Sequence, residues 1–220
     1  MSLQEQFTRG RALPATIPLF PLAGALLLPS GQLPLNVFEP RYLRMVDDAL
    51  AGARIIGMVQ PRDGVMSGRP PLYVVGCAGR IINFAETDDG RYLITLTGRR
   101  RFRIEEELNI DTAYRQAVVD WNAFATDEKN DPSAEFVDRE RLLRAMRFYL
   151  DSEGLKTDWD VVGEAPTDAL VASLSMGCPF APNEKQALLE AKTTAARAEC
   201  LIALMEMSGA GDAGGDPTVQ

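Results

Sequence analysis

Pro18-Leu19-Phe20-Pro21 is followed by the apolar run Ala25-Leu26-Leu27-Leu28-Pro29 and then by Leu33-Pro34-Leu35-Asn36-Val37-Phe38-Glu39-Pro40-Arg41-Tyr42-Leu43. Proline fixes φ and has no N–H, so it does not fit the middle of a helix or of a central strand. This stretch is therefore predicted to form short extended pieces joined at proline corners. Pro40 suits the first turn of a helix, and an apolar stripe at helical spacing follows it: Tyr42, Met45, Val46, Ala49 and Leu50.

The next part of the chain is rich in strand signals. The runs Ile81–Thr87 and Arg91–Thr97 flank Asp88-Asp89-Gly90, a sequence typical of a hairpin turn. Gly98 is predicted to end the second run, and Phe102 and Ile104 alternate with charged residues in a further strand. Several short strands between Gly and Pro turns predict a small barrel or sandwich.

After Asp131 the pattern becomes helical. Asp131-Pro132 resembles an N-cap and first helical residue, and a single helix is predicted from there to about Asp151, with Phe136 on its apolar side. Residues 154–166 are predicted to be a connection, and three further helical stretches follow. The last residues, 209–220, are mostly Gly, Ala and Asp, and we expect them to be a disordered tail.

Composition limits the possible functions. The 220 residues carry a formal charge of −8, which disfavours nonspecific binding of nucleic acid. The chain has no histidine, and its three cysteines show no C-x-x-C spacing, so we expect no imidazole-based catalysis and no metal site. The apolar run at 25–28 is too short to span a membrane, and no signal peptide is visible, so a cytoplasmic location is predicted.

The proline-rich opening resembles that of a known family. P-L-F-P, a hydrophobic run with Pro29, and L-P-L-N-V-F-E-P-R-Y-L-R-M-V are similar to the start of the Lon N-terminal domain. The similarity continues through the strand regions 76–82 and 98–104 and through Lys185-Gln186 and Leu188-Leu189-Glu190, so that it spans roughly Ile17 to Met207. The chain contains no G-x-x-x-x-G-K-[ST] phosphate loop and has no room for a serine–lysine protease domain.

The resemblance implies an α+β fold, in which an N-terminal β-barrel-like lobe of the PUA-like pseudobarrel kind is followed by a C-terminal helical bundle lobe. The predicted boundaries are 1–125 for the β lobe, 126–208 for the helical lobe and 209–220 for the tail. It also implies a module that recognises unfolded or apolar polypeptide and is not itself an enzyme. No cofactor, nucleotide or membrane partner is expected.

The predicted polypeptide-binding residues are Leu26, Leu27, Leu28 and Pro29. They lie between the proline corners Pro21 and Pro34, so they cannot all belong to a central strand. We expect some of these apolar side chains to remain on an exposed rim.

An alternative is an RNA-binding protein that uses the barrel and the arginine-rich strand Arg99-Arg100-Arg101-Phe102-Arg103. The opposing interpretation treats these arginines as a solvated strand face balanced by Glu105-Glu106-Glu107. Salt dependence separates the two functions, because phosphate binding weakens steeply with salt whereas apolar peptide capture does not.

Overall fold

The computed structural model describes residues 13–62, 69–128 and 131–211. The described chain divides into two compact units. The first contains the residues up to Ala23 together with Leu27–Glu128, and the second contains Gly24–Leu26 and the residues after Glu128. The domain boundaries given above stay a prediction, and most of the predicted tail lies outside the described residues.

The first unit is built on six strands: β1 (Thr16–Pro21), β2 (Gln32–Val37), β3 (Ile55–Val59), β4 (Val75–Glu86), β5 (Tyr92–Glu107) and β6 (Arg115–Asp120). β1 and β3 pair in parallel, and the other pairs are antiparallel. β5 pairs with both β4 and β6, so β5, β4, β3, β1 and β6 close into a ring, with β2 attached to the first half of β5. The predicted α+β, barrel-like fold is confirmed, although the barrel closes unevenly.

The core of this unit consists of side chains that alternate along the strands. They include Ile17 and Leu19 of β1, Phe102 of β5 and Val119 of β6. Helix α1 (Pro40–Ala51) begins at the predicted proline, and Tyr42, Met45, Val46 and Ala49 are its buried residues. Its carboxylate Asp48 accepts a hydrogen bond from the Tyr114 hydroxyl at 2.9 Å, which ties the helix to the segment before β6.

The prediction that Gly98 ends a strand was wrong. β5 runs through Gly98 for 16 residues, and its pairing with β4 is irregular between Ala78 and Gly79 and between Ile81 and Asn83. A β-bulge accommodates an extra residue without ending the pairing, which is how the glycine stays inside the strand.

The second unit is helical. It contains a short 3-10 helix (Pro132–Phe136) and then α2 (Arg139–Ser152), α3 (Trp159–Glu164), α4 (Thr167–Gly177), α5 (Pro182–Glu190) and α6 (Thr194–Gly211). α2 packs mainly on α6. The core of the second unit is formed by buried apolar residues of these helices: Leu142, Met146, Tyr149, Val171, Leu188, Leu201, Ile202 and Met205.

Two helix predictions in this unit need correction. The helix predicted from Asp131 is divided, because Val137 is extended and Asp138 starts α2 by accepting a hydrogen bond from the Arg141 N–H. Phe136 is consequently 81% exposed and does not belong to an apolar helix face. The predicted connection 154–166 contains α3, which Asp158 caps through the N–H of Asp160.

Candidate functional site

The three leucines of the predicted binding segment are buried. Leu26 is 2% exposed, and Leu27 and Leu28 are each 1% exposed, whereas Pro29 is half-buried. The expected exposed rim therefore does not include these three leucines. That this segment binds polypeptide stays a prediction. Apolar side chains of this size favour burial wherever the fold offers room for them.

Strand glycines provide that room in the first unit. A Cβ atom at Gly98 would lie 2.0 Å from the carbonyl oxygen of Leu28, and one at Gly79 would lie 2.8 Å from Leu27 Cδ2. The Ser30 N–H donates to the Gly98 carbonyl at 3.0 Å, and the Gly98 N–H donates to the Gly31 carbonyl at 2.8 Å. Glycines within strand patterns signal such close approach of another backbone, and this signal was available in the sequence.

An open groove of about 450 Å³ lies elsewhere on the first unit. Three consecutive residues from each of β2, β4 and β5 line it: Pro34, Leu35 and Asn36; Asn83, Phe84 and Ala85; Leu93, Ile94 and Thr95. The β2 residues of this lining belong to the proline-rich opening, but none of the nine lining residues belongs to the predicted binding segment 26–29. The other two strands reach the groove through the sheet pairing.

Strand register determines which side chains face solvent here. Asn36, Leu93 and Ala85 are paired across the three strands, and Pro34, Thr95 and Asn83 form the next such row. Ile94 lies between these rows and is only 2% exposed, whereas Leu93 is 45% exposed. Because successive residues of a strand point to opposite faces, the groove opens on the face that carries Leu93.

None of the nine lining residues is charged, although the chain carries a net charge of −8. Two apolar residues close to the lining in the sequence are also exposed: Phe38 at 62% and Ile82 at 49%. The Arg91 guanidinium lies 5.8 Å from the centre of the Phe38 ring. The groove lining itself is therefore uncharged and mostly apolar, whereas Glu86 and Arg91, close to it in the sequence, are charged and exposed.

Charge is concentrated at the hairpin tip beyond the groove. Asp89 accepts one hydrogen bond from the Thr87 hydroxyl and lies 2.8 Å from Arg91. The Thr87 hydrogen bond makes the larger contribution, and both contacts lower the pKa of the Asp89 carboxyl group. A hydrogen bond to Asp47, together with partial burial, raises the pKa of the Tyr92 hydroxyl. The Asp89 and Arg91 charges of the tip are therefore paired with each other, and no residue lining the groove is charged.

The arginine-rich strand does not present all its arginines to solvent. Arg101 and Asp127 are each 4% exposed and form a bidentate ion pair with a shortest N···O distance of 2.7 Å. The Arg101 guanidinium also lies 4.6 Å from the centre of the Phe124 ring. Since Arg101 is committed to this buried pair, it is removed from the basic surface on which the RNA-binding alternative depended.

The second unit contains buried ionisable groups with structural partners. The Lys185 ammonium donates to the Met176 carbonyl at 2.7 Å, and burial lowers its pKa. Burial raises the pKa of the Cys178 thiol to about 11, so it is protonated at neutral pH.

Among the described residues, no group of three His, Cys, Asp or Glu side chains is placed to hold a metal ion. In the same part of the chain, none of the helices combines the length and apolar character needed to cross a bilayer.

Comparison with known proteins identifies the family. The family model of the ATP-dependent protease La (LON) substrate-binding domain matches residues 16–207. The match covers most of the chain, including both units and all lining residues of the groove. This chain belongs to the LON substrate-binding domain family, as its opening motif had indicated.

Individual relatives agree with this assignment. Lon protease of Flavobacterium johnsoniae is 22% identical over 189 residues, and Lon protease 2 of Myxococcus xanthus is 26% identical over 197 residues. These alignments cover 84% and 88% of this chain but only 23% and 24% of the relatives. The chain thus spans about a quarter of the length of these curated relatives.

Solved structures show the same fold. A Lon N-terminal domain protein from Xanthomonas campestris matches with 24% identity and a TM-score of 0.57, covering 86% of this chain and 97% of that one. The N-terminal domain of Mycobacterium avium complex Lon protease matches with 16% identity and a TM-score of 0.62, covering 87% and 98%.

Proposed function

We propose that this chain binds extended, apolar segments of unfolded polypeptide, and that the groove between β2, β4 and β5 is the binding surface. The observation that carries the proposal is the solvent-facing, uncharged groove with Leu93 exposed in its lining. The family description names a substrate-binding domain, and the substrate of a protease is a polypeptide. The cytoplasmic location stays a prediction.

The properties of the groove fit such a ligand. Burying exposed apolar side chains such as Leu93 against an apolar segment gains about 25 cal/mol per Å² removed from water. A charged ligand side chain would lose hydration without gaining a counter-ion, because no lining residue is charged. A protein that binds unfolded chains needs this preference, because apolar segments are buried in folded proteins and exposed in unfolded ones.

Leu93→Asp tests the proposal. The probe is a fluorescein-labelled ten-residue peptide of Leu and Val with Ser and Gln spacers and no charged residue. We expect its affinity to fall by about tenfold or more, because the variant places a carboxylate in the apolar contact. The matched control is Ile110→Asp, whose side chain is also 45% exposed but does not line the groove. Fluorescence anisotropy measures both affinities.

Salt dependence is measured in the same titration. Apolar capture is expected to change by less than about twofold between 50 and 500 mM NaCl, whereas phosphate contacts weaken steeply with salt. Equal affinities of the Leu93→Asp and Ile110→Asp variants would contradict the groove assignment. Tight, salt-sensitive binding of single-stranded RNA together with no peptide binding would favour the RNA-binding alternative.

A further inference from the structure

Two asparagines flank the groove on either side of β5. Asn36 belongs to β2 and Asn83 to β4, and both are exposed. Asn36 is in the row of Leu93, and Asn83 is in the row of Thr95, two residues further along β5. Both rows lie on the face where the groove opens, so the amide side chains stand at diagonally opposite corners of the solvent-facing surface around Leu93.

Sheet geometry gives the span between the two corners. Asn36 and Asn83 are separated by two strand spacings of about 4.8 Å across the sheet and by two residues of about 3.4 Å along the strands, which gives a diagonal distance of about 12 Å. An extended peptide rises about 3.4 Å per residue, so main-chain groups three to four residues apart match this distance. A peptide that follows this diagonal would cross β5 between Leu93 and Thr95 and pass both amides.

The chemistry of the lining indicates what part of a ligand each group meets. An asparagine side chain offers both donors and an acceptor, which complement the C=O and N–H groups of a peptide main chain. The remaining lining side chains are apolar except for Thr95, and none is charged. The surface therefore combines apolar contact for ligand side chains with polar contact for the ligand main chain.

We propose that Asn36 and Asn83 hold the main chain of an extended, uncharged polypeptide segment as it crosses the groove between Leu93 and Thr95. This inference rests on the proposed function and specifies its substrate class. Because every residue has the same main-chain groups, the two amides give affinity without requiring a particular sequence. Selection then depends on two properties of the ligand: an extended backbone and the absence of charge over three to four residues.

The experiment uses Asn36→Leu and Asn83→Leu, which keep the side-chain size, remove the amide and add apolar area. With the decapeptide described above, each substitution is expected to weaken binding by about three- to tenfold, the usual effect of losing one hydrogen bond. If apolar contact alone holds the peptide, the same substitutions leave affinity unchanged or increase it. The matched control is Asn109→Leu, an exposed asparagine outside the groove lining.

A second measurement alters the peptide and leaves the protein unchanged. Replacing central amide bonds of the decapeptide by esters, one at a time, removes main-chain donors while the side chains are kept. At one or more positions the ester should bind the wild-type chain more weakly than the parent peptide, and the Asn36→Leu, Asn83→Leu double variant should not distinguish the two. The ester effect on the wild-type chain does not depend on how any variant folds, and circular dichroism of the double variant checks that it is folded.

The outcomes separate this inference from the proposed function. If Leu93→Asp abolishes binding while the asparagine variants and the esters bind as tightly as their parents, the main-chain clamp is overturned and the groove assignment stands. If the wild-type chain does not bind the decapeptide, both are overturned. Weakening by both asparagine substitutions, together with loss of ester discrimination in the double variant, supports the clamp.

Discussion

Leu27 and Leu93 have the same side chain in opposite environments. Leu27 is 1% exposed and packs where Gly79 leaves space, whereas Leu93 is 45% exposed on the outer face of the sheet. The pair shows that a leucine in an irregular, proline-flanked segment can belong to the core while a leucine in a regular strand lies on the surface. Substituting each with the same charged residue therefore separates stability from binding.

Leu27→Asp is expected to lower the free energy of unfolding by several kcal/mol. The new carboxylate would be buried where a leucine had apolar neighbours, without an ionic partner. Urea denaturation followed by circular dichroism measures the change. Leu93→Asp serves as the comparison and is expected to change stability by about 0.5 kcal/mol or less, as is usual for surface substitutions. An unaltered unfolding midpoint for Leu27→Asp would show that this leucine is not part of the core.

At the scale of elements, one carboxylate joins the starts of two helices in the second unit. Asp131 accepts hydrogen bonds from the N–H of Ser133, in the 3-10 helix, and from the N–H of Thr194, the first residue of α6. Burial acts to raise the pKa of Asp131, but the hydrogen bonds from Thr194 and Ser133 outweigh it and lower the pKa to about 2. Helix N-termini favour negative charge, which acts in the same direction.

This shift predicts a pH dependence of stability. A carboxyl group whose pKa is lower in the folded than in the unfolded state stabilises the fold above its unfolded value, near 3.9, and loses that contribution as the pH falls towards 2. The stability difference between the wild-type chain and Asp131→Asn should therefore be constant above about pH 5 and shrink between pH 4 and pH 2.

Urea denaturation at half-unit pH intervals measures this difference. Asp111→Asn provides the control, since this exposed residue lies in a bend outside the helices. A difference between wild type and Asp131→Asn that does not change with pH would show that the two hydrogen bonds do not depend on the ionised carboxylate.

On the scale of the whole molecule, the described part of the chain corresponds to one domain of much longer relatives. The matched region makes up 23–24% of the Lon proteases of Flavobacterium johnsoniae and Myxococcus xanthus compared above. The family match itself ends at residue 207 and is to a substrate-binding domain. The proteolytic activity for which those relatives are named is therefore a property of proteins much longer than the region that this chain matches.

The purified chain is expected neither to hydrolyse ATP nor to degrade casein. A phosphate-binding loop of the type G-x-x-x-x-G-K-[ST] is absent from the 220 residues, and such loops cradle nucleotide phosphates through their backbone N–H groups. Phosphate release and casein cleavage are measured with and without the Leu93→Asp substitution. ATP turnover that persists through repeated purification at constant specific activity would contradict this prediction.

Local sequence chemistry was sufficient for several parts of this protein. Pro40 marked the start of α1, Asp88-Asp89-Gly90 marked the turn between β4 and β5, and the opening motif indicated the family. These features depend on backbone restrictions and short-range periodicity, which act over a few residues and are therefore visible in the sequence alone.

Only the tertiary structure decided which apolar residues are exposed. The backbone of Leu28 meets Gly98, 70 positions later, and the groove exists because β2 and β4 both pair with β5. Exposure depends on which distant segments cover a side chain, and the sequence around Leu27 is equally compatible with a covered or an uncovered state. Long-range strand pairing removes that ambiguity, because it fixes both the register and the face to which each side chain points.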